Sequence, residues 1–164
     1  MTFSLGITKL QKSCVDYTYK LEFVTSDDHP NRSVAFLVSE DKKINAIGEF
    51  NRLEINTERH FRTRFDTWRD GKIYKDWYHG WDKSEFSGKY TKCFVFEYKS
   101  QSDRFYGFLC NPKKIDRSYQ LCVLVTYQCK TRHKTDQANL KKVEIIRTTF
   151  AVQKVIKDYF KRGK

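Results

Sequence analysis

A dense group of cations surrounds one imidazole within the segment 129–136, which reads Cys-Lys-Thr-Arg-His-Lys-Thr-Asp. Lys130, Arg132 and Lys134 carry ammonium and guanidinium groups, which form charge-assisted hydrogen bonds with phosphate oxygens. His133 has an imidazole whose ordinary pKa of about 6.5 lets it donate or accept a proton near neutral pH. Any one of these cations alone is better explained as a solvated surface charge. As a group they predict a site that faces a phosphate.

A cation and a phenol alternate in an apolar run that precedes this group along the chain. Arg104 and Tyr106 are two residues apart, and in a β-strand side chains at that spacing point to the same face. The run is rich in aromatic and β-branched residues, which favours a strand. The sequence therefore predicts that Arg104 and Tyr106 are presented together, close to the basic group.

The excess positive charge is confined to one part of the chain. Residues 1–98 hold 16 Lys and Arg against 15 Asp and Glu, a net charge of +1, whereas residues 99–164 hold 16 against 5, a net charge of +11. A one-sided field of this size attracts polyanions and speeds their association. A cationic surface that only keeps the protein soluble would not explain why the first part is balanced, so nucleic acid is the favoured partner.

Two kinds of periodicity predict the elements before the basic part. Apolar residues alternate with polar ones over 15–23 and 34–38, and turn-forming residues lie between these runs, which predicts a hairpin. Over 45–68 apolar residues recur every three or four positions, which predicts a helix. Thr57 is an alternative N-cap, in which case the helix covers 57–69.

The second half of the chain predicts three antiparallel strands and a C-terminal helix. The strands correspond to apolar runs at 92–99, 104–110 and 119–127. The helix begins either at Asp136 or near Thr149, because the β-branched stretch between them could interrupt it. The expected fold is a single α+β domain, residues 1–164, with a twisted antiparallel sheet and flanking helices. Residues 1–40 form an N-terminal hairpin extension, and residues 41–164 form the core.

The order of these elements, with three short motifs, resembles the RelE/HigB-type toxins over residues 61–160. The motifs are Glu-Tyr-Lys at 97–99, Arg-Phe-Tyr at 104–106 and the lysine-rich turn that ends in Lys-Thr-Asp at 134–136. In that family a strand and helices precede an antiparallel hairpin whose second strand carries an Arg before an aromatic residue. An apolar strand then ends in a lysine-rich turn that leads into a helix.

The resemblance implies a RelE-like fold and a metal-independent endoribonuclease that cleaves mRNA, usually on the ribosome, as the toxin of a toxin–antitoxin pair. Its partners would be RNA and an antitoxin protein. Catalysis would need a base at the ribose 2′-hydroxyl, cations at the phosphate and an acid at the leaving 5′ oxygen. The implied catalytic residues are Arg104, His133 and Lys134, and the implied RNA contacts are Lys99, Tyr106, Lys130 and Arg132.

A different class of function is compatible with the same residues. A non-catalytic module could use the basic C-terminal face to bind RNA, DNA or an acidic partner protein. Catalysis requires Arg104, His133 and a lysine to converge on one phosphate, whereas binding requires only a spread of cations. The aromatic run 77–81 could stack on bases, but packing against a hairpin is the favoured interpretation.

The cysteines and the hydropathy indicate no cofactor and no membrane segment. The five cysteines include no C-x-x-C pair, so buried reduced thiols are favoured over a zinc site. No run approaches the roughly 20 apolar residues that span a bilayer, and the first residues do not resemble a signal peptide. A cytoplasmic protein without metal, cofactor or membrane contact is expected.

Overall fold

Long apolar and aromatic runs form the strands of one six-stranded sheet, with helices on both of its faces. The computed structural model describes residues 18–25, 32–80, 90–110, 120–129 and 137–162. Within them lie ten main elements and a 3₁₀ turn, Lys99–Gln101, between β4 and β5. The elements are β1 (Tyr19–Phe23), β2 (Arg32–Ser39), α1 (Ala46–Asn51), α2 (Ile55–Arg69), β3 (Tyr78–Gly80), β4 (Cys93–Tyr98), β5 (Asp103–Cys110), β6 (Gln120–Cys129), α3 (Gln137–Arg147) and α4 (Phe150–Arg162).

The sheet is mixed, which corrects the prediction of a purely antiparallel sheet. Its strand order is β1-β2-β6-β5-β4-β3, and β2 runs parallel to β6 while the other neighbouring pairs are antiparallel. A parallel pair requires a long crossover, which the helices and strands between residues 39 and 120 supply. The periodicity of β2 cannot reveal this pairing, because a strand alternates in the same way whichever direction its neighbour runs.

The predicted N-terminal hairpin is present, but its second strand is not an addition to the sheet. β1 and β2 pair antiparallel from Tyr19 with Ser39 to Phe23 with Ala35. β2 lies between β1 and β6, and every residue from Ser33 to Ser39 is buried. The strand therefore belongs to the core, and of the two hairpin strands only β1 lies at an edge of the sheet. The turn expected around residues 26–31 lies outside the described residues.

The three strands predicted in the second half are confirmed as β4, β5 and β6, and both helical regions prove to be divided. The predicted helix at 57–69 lies within α2, and a separate short helix, α1, precedes it. At the C-terminus, α3 ends at Arg147 and α4 begins at Phe150. Thr148 and Thr149 lie between them, and their hydroxyls donate to main-chain carbonyls of α3. Such local bonds compete with helix continuation. None of the described helices has the length and hydropathy needed to cross a bilayer.

The two faces of the sheet have different cores. We call the face covered by α1 and α2 the aromatic face, because rings dominate its buried cluster, including those of Phe36, Phe50, Phe61, Phe65, Phe96 and Phe105. We call the face covered by α3 and α4 the aliphatic face, because its cluster includes Leu37, Val95, Leu121, Val123, Leu140 and Val152. Both clusters are buried, so the sheet is a central layer.

A bulge in the β5–β6 pair requires a glycine. The register shifts between Tyr106 and Gly107, and a β-carbon at Gly107 would lie 2.1 Å from the carbonyl oxygen of Val123. No side chain fits at that separation, so Gly107 allows the close approach of the two strands. The bulge lies between the apolar part of β5 and the end that carries Arg104.

Candidate functional site

Polar side chains cross the aliphatic face near one end of the strands. Glu97 on β4 lies opposite Arg104 on β5, and Arg104 lies opposite Gln128 on β6. His79 on the edge strand β3 lies opposite Val95, two residues from Glu97 and on the same face. We call His79, Glu97, Arg104 and Gln128 the polar row. It spans four adjacent strands and brings three ionisable groups into a mainly apolar layer.

A short hydrogen bond joins the first two members of the polar row. His79 Nε2 lies 2.7 Å from Glu97 Oε1, and the exposed fractions of the two side chains are 20% and 6%. If the carboxylate is ionised it can only accept this hydrogen bond, and in that case Nε2 donates and a neutral ring carries its lone pair on Nδ1. Glu97 therefore fixes the tautomer and orientation of a histidine that is partly open to solvent.

Arg104 balances the charge of Glu97. Its Nε lies 3.6 Å from Glu97 Oε2, and the exposed fraction of its side chain is 5%. A carboxylate buried to this degree would be strongly destabilised without a compensating cation. The guanidinium of Arg104 is thus buried beside Glu97. His79 is the most exposed of the three side chains.

The far end of the polar row, Gln128, is two residues before the start of the predicted basic group along the chain. Asn139 on α3 donates a hydrogen bond of 2.9 Å from Nδ2 to Gln128 Oε1. Cys129, the neighbour of Gln128, is the last described residue before the segment 130–136. The predicted site residues Lys130, Arg132, His133 and Lys134 lie outside the described residues.

Two other predicted site residues occupy very different positions. Tyr106 is fully buried within the aliphatic cluster, two residues from Arg104 on the same face. Lys99 is exposed and lies 2.9 Å from Asp76. A side chain in the position of Tyr106 contributes to packing, and Lys99 is open to a ligand in solution.

Sequence reasoning missed the contact between Glu97 and His79. Glu97 follows the apolar stretch Cys-Phe-Val-Phe of β4, and an acid in a buried strand needs a partner, so its sequence context contained a signal. His79 lies in an aromatic run, 18 residues from Glu97 along the chain. Their contact depends on the pairing of β3 with β4, which the periodicity of a three-residue strand does not predict.

The helices over the aliphatic face carry much of the excess charge. Residues 137–162 contain 7 Lys and Arg and 2 Asp and Glu, a net charge of +5. Six of the cations are exposed, namely Lys141, Lys142, Lys154, Lys157, Lys161 and Arg162. The charge asymmetry of the sequence therefore becomes an exposed basic surface on α3 and α4, which is favourable for a polyanion.

A groove of about 890 Å³ lies at the opposite edge of the sheet, between β1 and α4. Its lining includes Leu21, Phe23, Phe150 and Tyr159, and no member of the polar row. We base the candidate site on the polar row and not on this groove, because the row contains the convergent ionisable groups.

The described residues contain no group of three or more His, Cys, Asp or Glu side chains placed to hold a metal ion. Cys93, Cys110, Cys122 and Cys129 are free thiols, and burial raises the pKa of the first three. A buried thiol of raised pKa is a poor nucleophile. Imidazole, carboxylate and guanidinium groups are therefore the chemistry that the described residues bring together.

The fold and site define an α+β protein with a six-stranded mixed sheet, a polar row on one face and a basic helical surface beside it. Comparisons with protein-family models, with curated proteins and with solved structures give no match to this chain.

Proposed function

We propose that the protein is a metal-independent endoribonuclease with a RelE-like fold, acting on mRNA as the toxin of a toxin–antitoxin pair. The observation that supports catalysis is the hydrogen bond between His79 and Glu97, with Arg104 behind the carboxylate. The choice of RNA is supported by the +11 charge of residues 99–164. The fold type, mRNA and antitoxin rest on the resemblance of the motifs at 97–99, 104–106 and 134–136 to the RelE/HigB-type toxins.

The arrangement suits proton transfer at a ribose. A base removes the proton of the 2′-hydroxyl, the 2′ oxygen attacks phosphorus, and the bond from phosphorus to the 5′ oxygen breaks as an acid protonates that oxygen. The products are a 2′,3′-cyclic phosphate and a 5′-hydroxyl. His79, oriented by Glu97, supplies one of the two proton-transfer groups, and His133 supplies the other.

The remaining residues bind and balance charge. Lys130, Arg132 and Lys134 hold the phosphate and its developing negative charge, as the sequence predicts. Arg104 acts as a positioning residue, because its guanidinium faces Glu97 and 5% of its side chain is exposed. Glu97 is likewise a positioning residue, since it reaches the substrate only through His79.

Single-turnover cleavage of a labelled mRNA, at saturating protein, with chelator and with or without ribosomes, tests the proposal. We expect His79→Ala and His133→Ala each to slow cleavage by about 100-fold or more, because positioned acid–base groups contribute about 10²- to 10⁴-fold. Arg52→Ala is the control: it removes an exposed charge directly after α1 that pairs with Glu49. Absence of cleavage by the wild type in all conditions would overturn the proposal.

Glu97→Gln distinguishes positioning from a purely structural role. The amide keeps the size of the side chain but no longer stabilises a protonated His79, so the pH–rate profile should move toward lower pH. A merely structural Glu97 would change the rate without moving the profile. Thermal unfolding of each variant establishes that the fold is retained.

A non-catalytic RNA-binding module is the second candidate. The observation that favours it is the low exposure of Glu97 and Arg104, because catalysis at the polar row depends on access through His79. In that case neither the wild type nor the variants at His79 and His133 would form product, and the variants would bind RNA with nearly the affinity of the wild type. Salt-dependent RNA binding would remain, because the exposed cations of α3 and α4 would provide it.

A further inference from the structure

Five flat groups form a continuous stack on the aromatic face, at the same end of the strands as the polar row. The order is Tyr74, Trp77, Arg64, Tyr98 and His60, and we call this set the stacked column. The ring centroids are 4.8 Å apart for Tyr74 and Trp77 and 4.3 Å apart for Tyr98 and His60. Arg64 Cζ lies 4.7 Å from the ring centroid of Trp77 and 4.8 Å from that of Tyr98. The two ring pairs each have an interplanar angle of 21°.

The middle of the stacked column is fixed by the fold. Arg64 Nε donates to the carbonyl oxygen of Glu97 at 2.7 Å, and Arg64 Nη1 donates to that of His60 at 3.0 Å. The guanidinium lies between the rings of Trp77 and Tyr98, a cation–π arrangement on both sides. These contacts join α2 to β4 and hold the rings in place before any ligand arrives.

The two ends of the stacked column have a different character. Tyr74 is 47% exposed and His60 is also exposed. Within the part of the chain that the structure describes, the ring contacts of Tyr74 stop at Trp77 and those of His60 stop at Tyr98. Packing of α2 on β4 needs only the middle of the column, so it does not explain exposed rings held parallel at both ends.

The exposed cations near these ends suit a phosphate backbone. Arg59 precedes His60, Lys72 and Lys75 flank Tyr74, and all three are exposed. The neighbouring acids Glu58 and Asp76 are already paired, with Arg62 and Lys99 respectively. Exposed rings with cations beside them are the arrangement by which proteins bind single-stranded nucleic acid, because every base has a face that can stack.

We propose that the stacked column is a subsite for single-stranded RNA, in which the bases stack on the outer faces of Tyr74 and His60. The inference rests on the proposed function, since it takes RNA as the ligand. The carbonyl oxygen of Glu97 accepts a hydrogen bond from Arg64 of the stacked column, and its carboxylate is hydrogen-bonded to His79 on the opposite face. An RNA that stacks on the column is therefore held next to the strands that carry the polar row.

The test measures binding of a 2′-O-methyl RNA strand by fluorescence anisotropy, because a blocked 2′ oxygen prevents cleavage. Tyr74→Ala and His60→Ala should each weaken binding at least about 5-fold, since stacking on an aromatic side chain contributes about that much per base. Tyr74→Phe keeps the ring and should bind like the wild type. Phe150→Ala is a matched control, because Phe150 is an exposed ring, 83% exposed, on α4.

A strand of equal length without bases separates stacking from charge. It should bind more weakly than the base-bearing strand, and Tyr74→Ala should not weaken it further. The subsite is overturned if Tyr74→Ala and His60→Ala bind the base-bearing strand like the wild type. It is also overturned if the wild type does not bind that strand, or binds it no more tightly than the strand without bases. Base-dependent binding by a wild type that never cleaves RNA would overturn the proposed function and leave the subsite standing.

Discussion

The two faces of the sheet bury an arginine in opposite ways, and both ways involve Glu97. On the aromatic face, Arg64 lies between two rings and donates to the carbonyl oxygens of Glu97 and His60, all of them neutral groups. On the aliphatic face, Arg104 lies beside the carboxylate of Glu97, which also accepts from His79. One residue thus provides a neutral acceptor to one face and an anion to the other.

In the proposed function, this difference separates binding from chemistry. The rings and carbonyl oxygens around Arg64 are neutral groups that hold its guanidinium in place and leave flat ring faces beside it, which suits the stacking of bases. A carboxylate between an imidazole and a guanidinium can stabilise a proton that moves on and off the imidazole. The helices over the two faces also differ in charge: residues 46–69 have 5 Lys and Arg against 4 Asp and Glu, a net charge of +1, whereas residues 137–162 have a net charge of +5.

Removal of each arginine gives the largest expected effect on stability. Arg104→Ala leaves the carboxylate of Glu97 buried and without this cation, so we expect a loss of about 3–5 kcal/mol in the free energy of unfolding. Arg64→Ala leaves neutral carbonyl oxygens and rings, so the loss should be smaller, about 1–3 kcal/mol. Urea unfolding of the two variants measures both losses.

The double variant Glu97→Gln with Arg104→Ala is the control for this comparison. If the stranded charge causes the loss, the second substitution should restore part of the stability. Equal losses for Arg64→Ala and Arg104→Ala, with no recovery in the double variant, would show that the faces do not differ in this way.

A smaller difference is expected between two phenylalanines of β5. Phe105 points to the aromatic face and contacts the rings of Phe36, Phe50, Phe61 and Tyr127. Phe108 is equally buried on the aliphatic face. Aromatic pairs contribute about 0.5–1.5 kcal/mol beyond the area they bury, so Phe105→Leu should destabilise by about 1 kcal/mol or more beyond Phe108→Leu. Thermal or urea unfolding checks the order, and equal losses would remove the energetic distinction between the two cores.

Local pattern predicted much of this architecture. The apolar, aromatic-rich runs of β4, β5 and β6 and the three- and four-residue spacing in α2 are properties of neighbouring residues, and both predictions are confirmed. The parallel pairing of β2 with β6 joins residues about 90 positions apart, as Arg32 with Gln120 shows. No local pattern specifies such a partner, so the sheet was wrongly expected to be antiparallel.

The candidate site depends even more on pairing. Arg104 was identified from its motif, but its burial beside Glu97 follows from the β4–β5 register. The contact of His79 with Glu97 needs an edge strand of only three residues, Tyr78–Gly80. Sequence reasoning can thus suggest the residue types for chemistry, while the sheet determines which of them meet. The roles given to Lys130, Arg132, His133 and Lys134 remain predictions.

The basic surface of α3 and α4 predicts a change in the salt dependence of RNA binding. Affinity should fall steeply with salt, because each neutralised phosphate releases condensed counterions. The double variant Lys154→Ala with Lys157→Ala should lower the slope of log K against log salt by about 0.7 for each lost contact with a single strand. Lys43→Ala with Arg52→Ala removes two charges from the balanced part of the chain and should leave the slope unchanged. A slope near zero for the wild type would remove the polyanion interpretation.

The smallest expected effect is a pH dependence from a thiol on the aliphatic face. Cys93 is fully buried, and desolvation raises the pKa of its thiol to about 12 from an ordinary value of 9.0. The unfolded chain therefore ionises this thiol first, so its contribution to stability is complete well below pH 9 and is lost progressively as pH rises through 9 toward 12. Between pH 8 and 9 the loss should be about 0.3 kcal/mol.

Other groups also titrate there, so the measurement is the difference between the wild type and Cys93→Val in urea unfolding at several pH values. The exposed Cys129, replaced by Ala, serves as the control and should leave the pH dependence as it is in the wild type. Identical pH dependence in the wild type and Cys93→Val would show that Cys93 is not isolated from solvent in the folded protein.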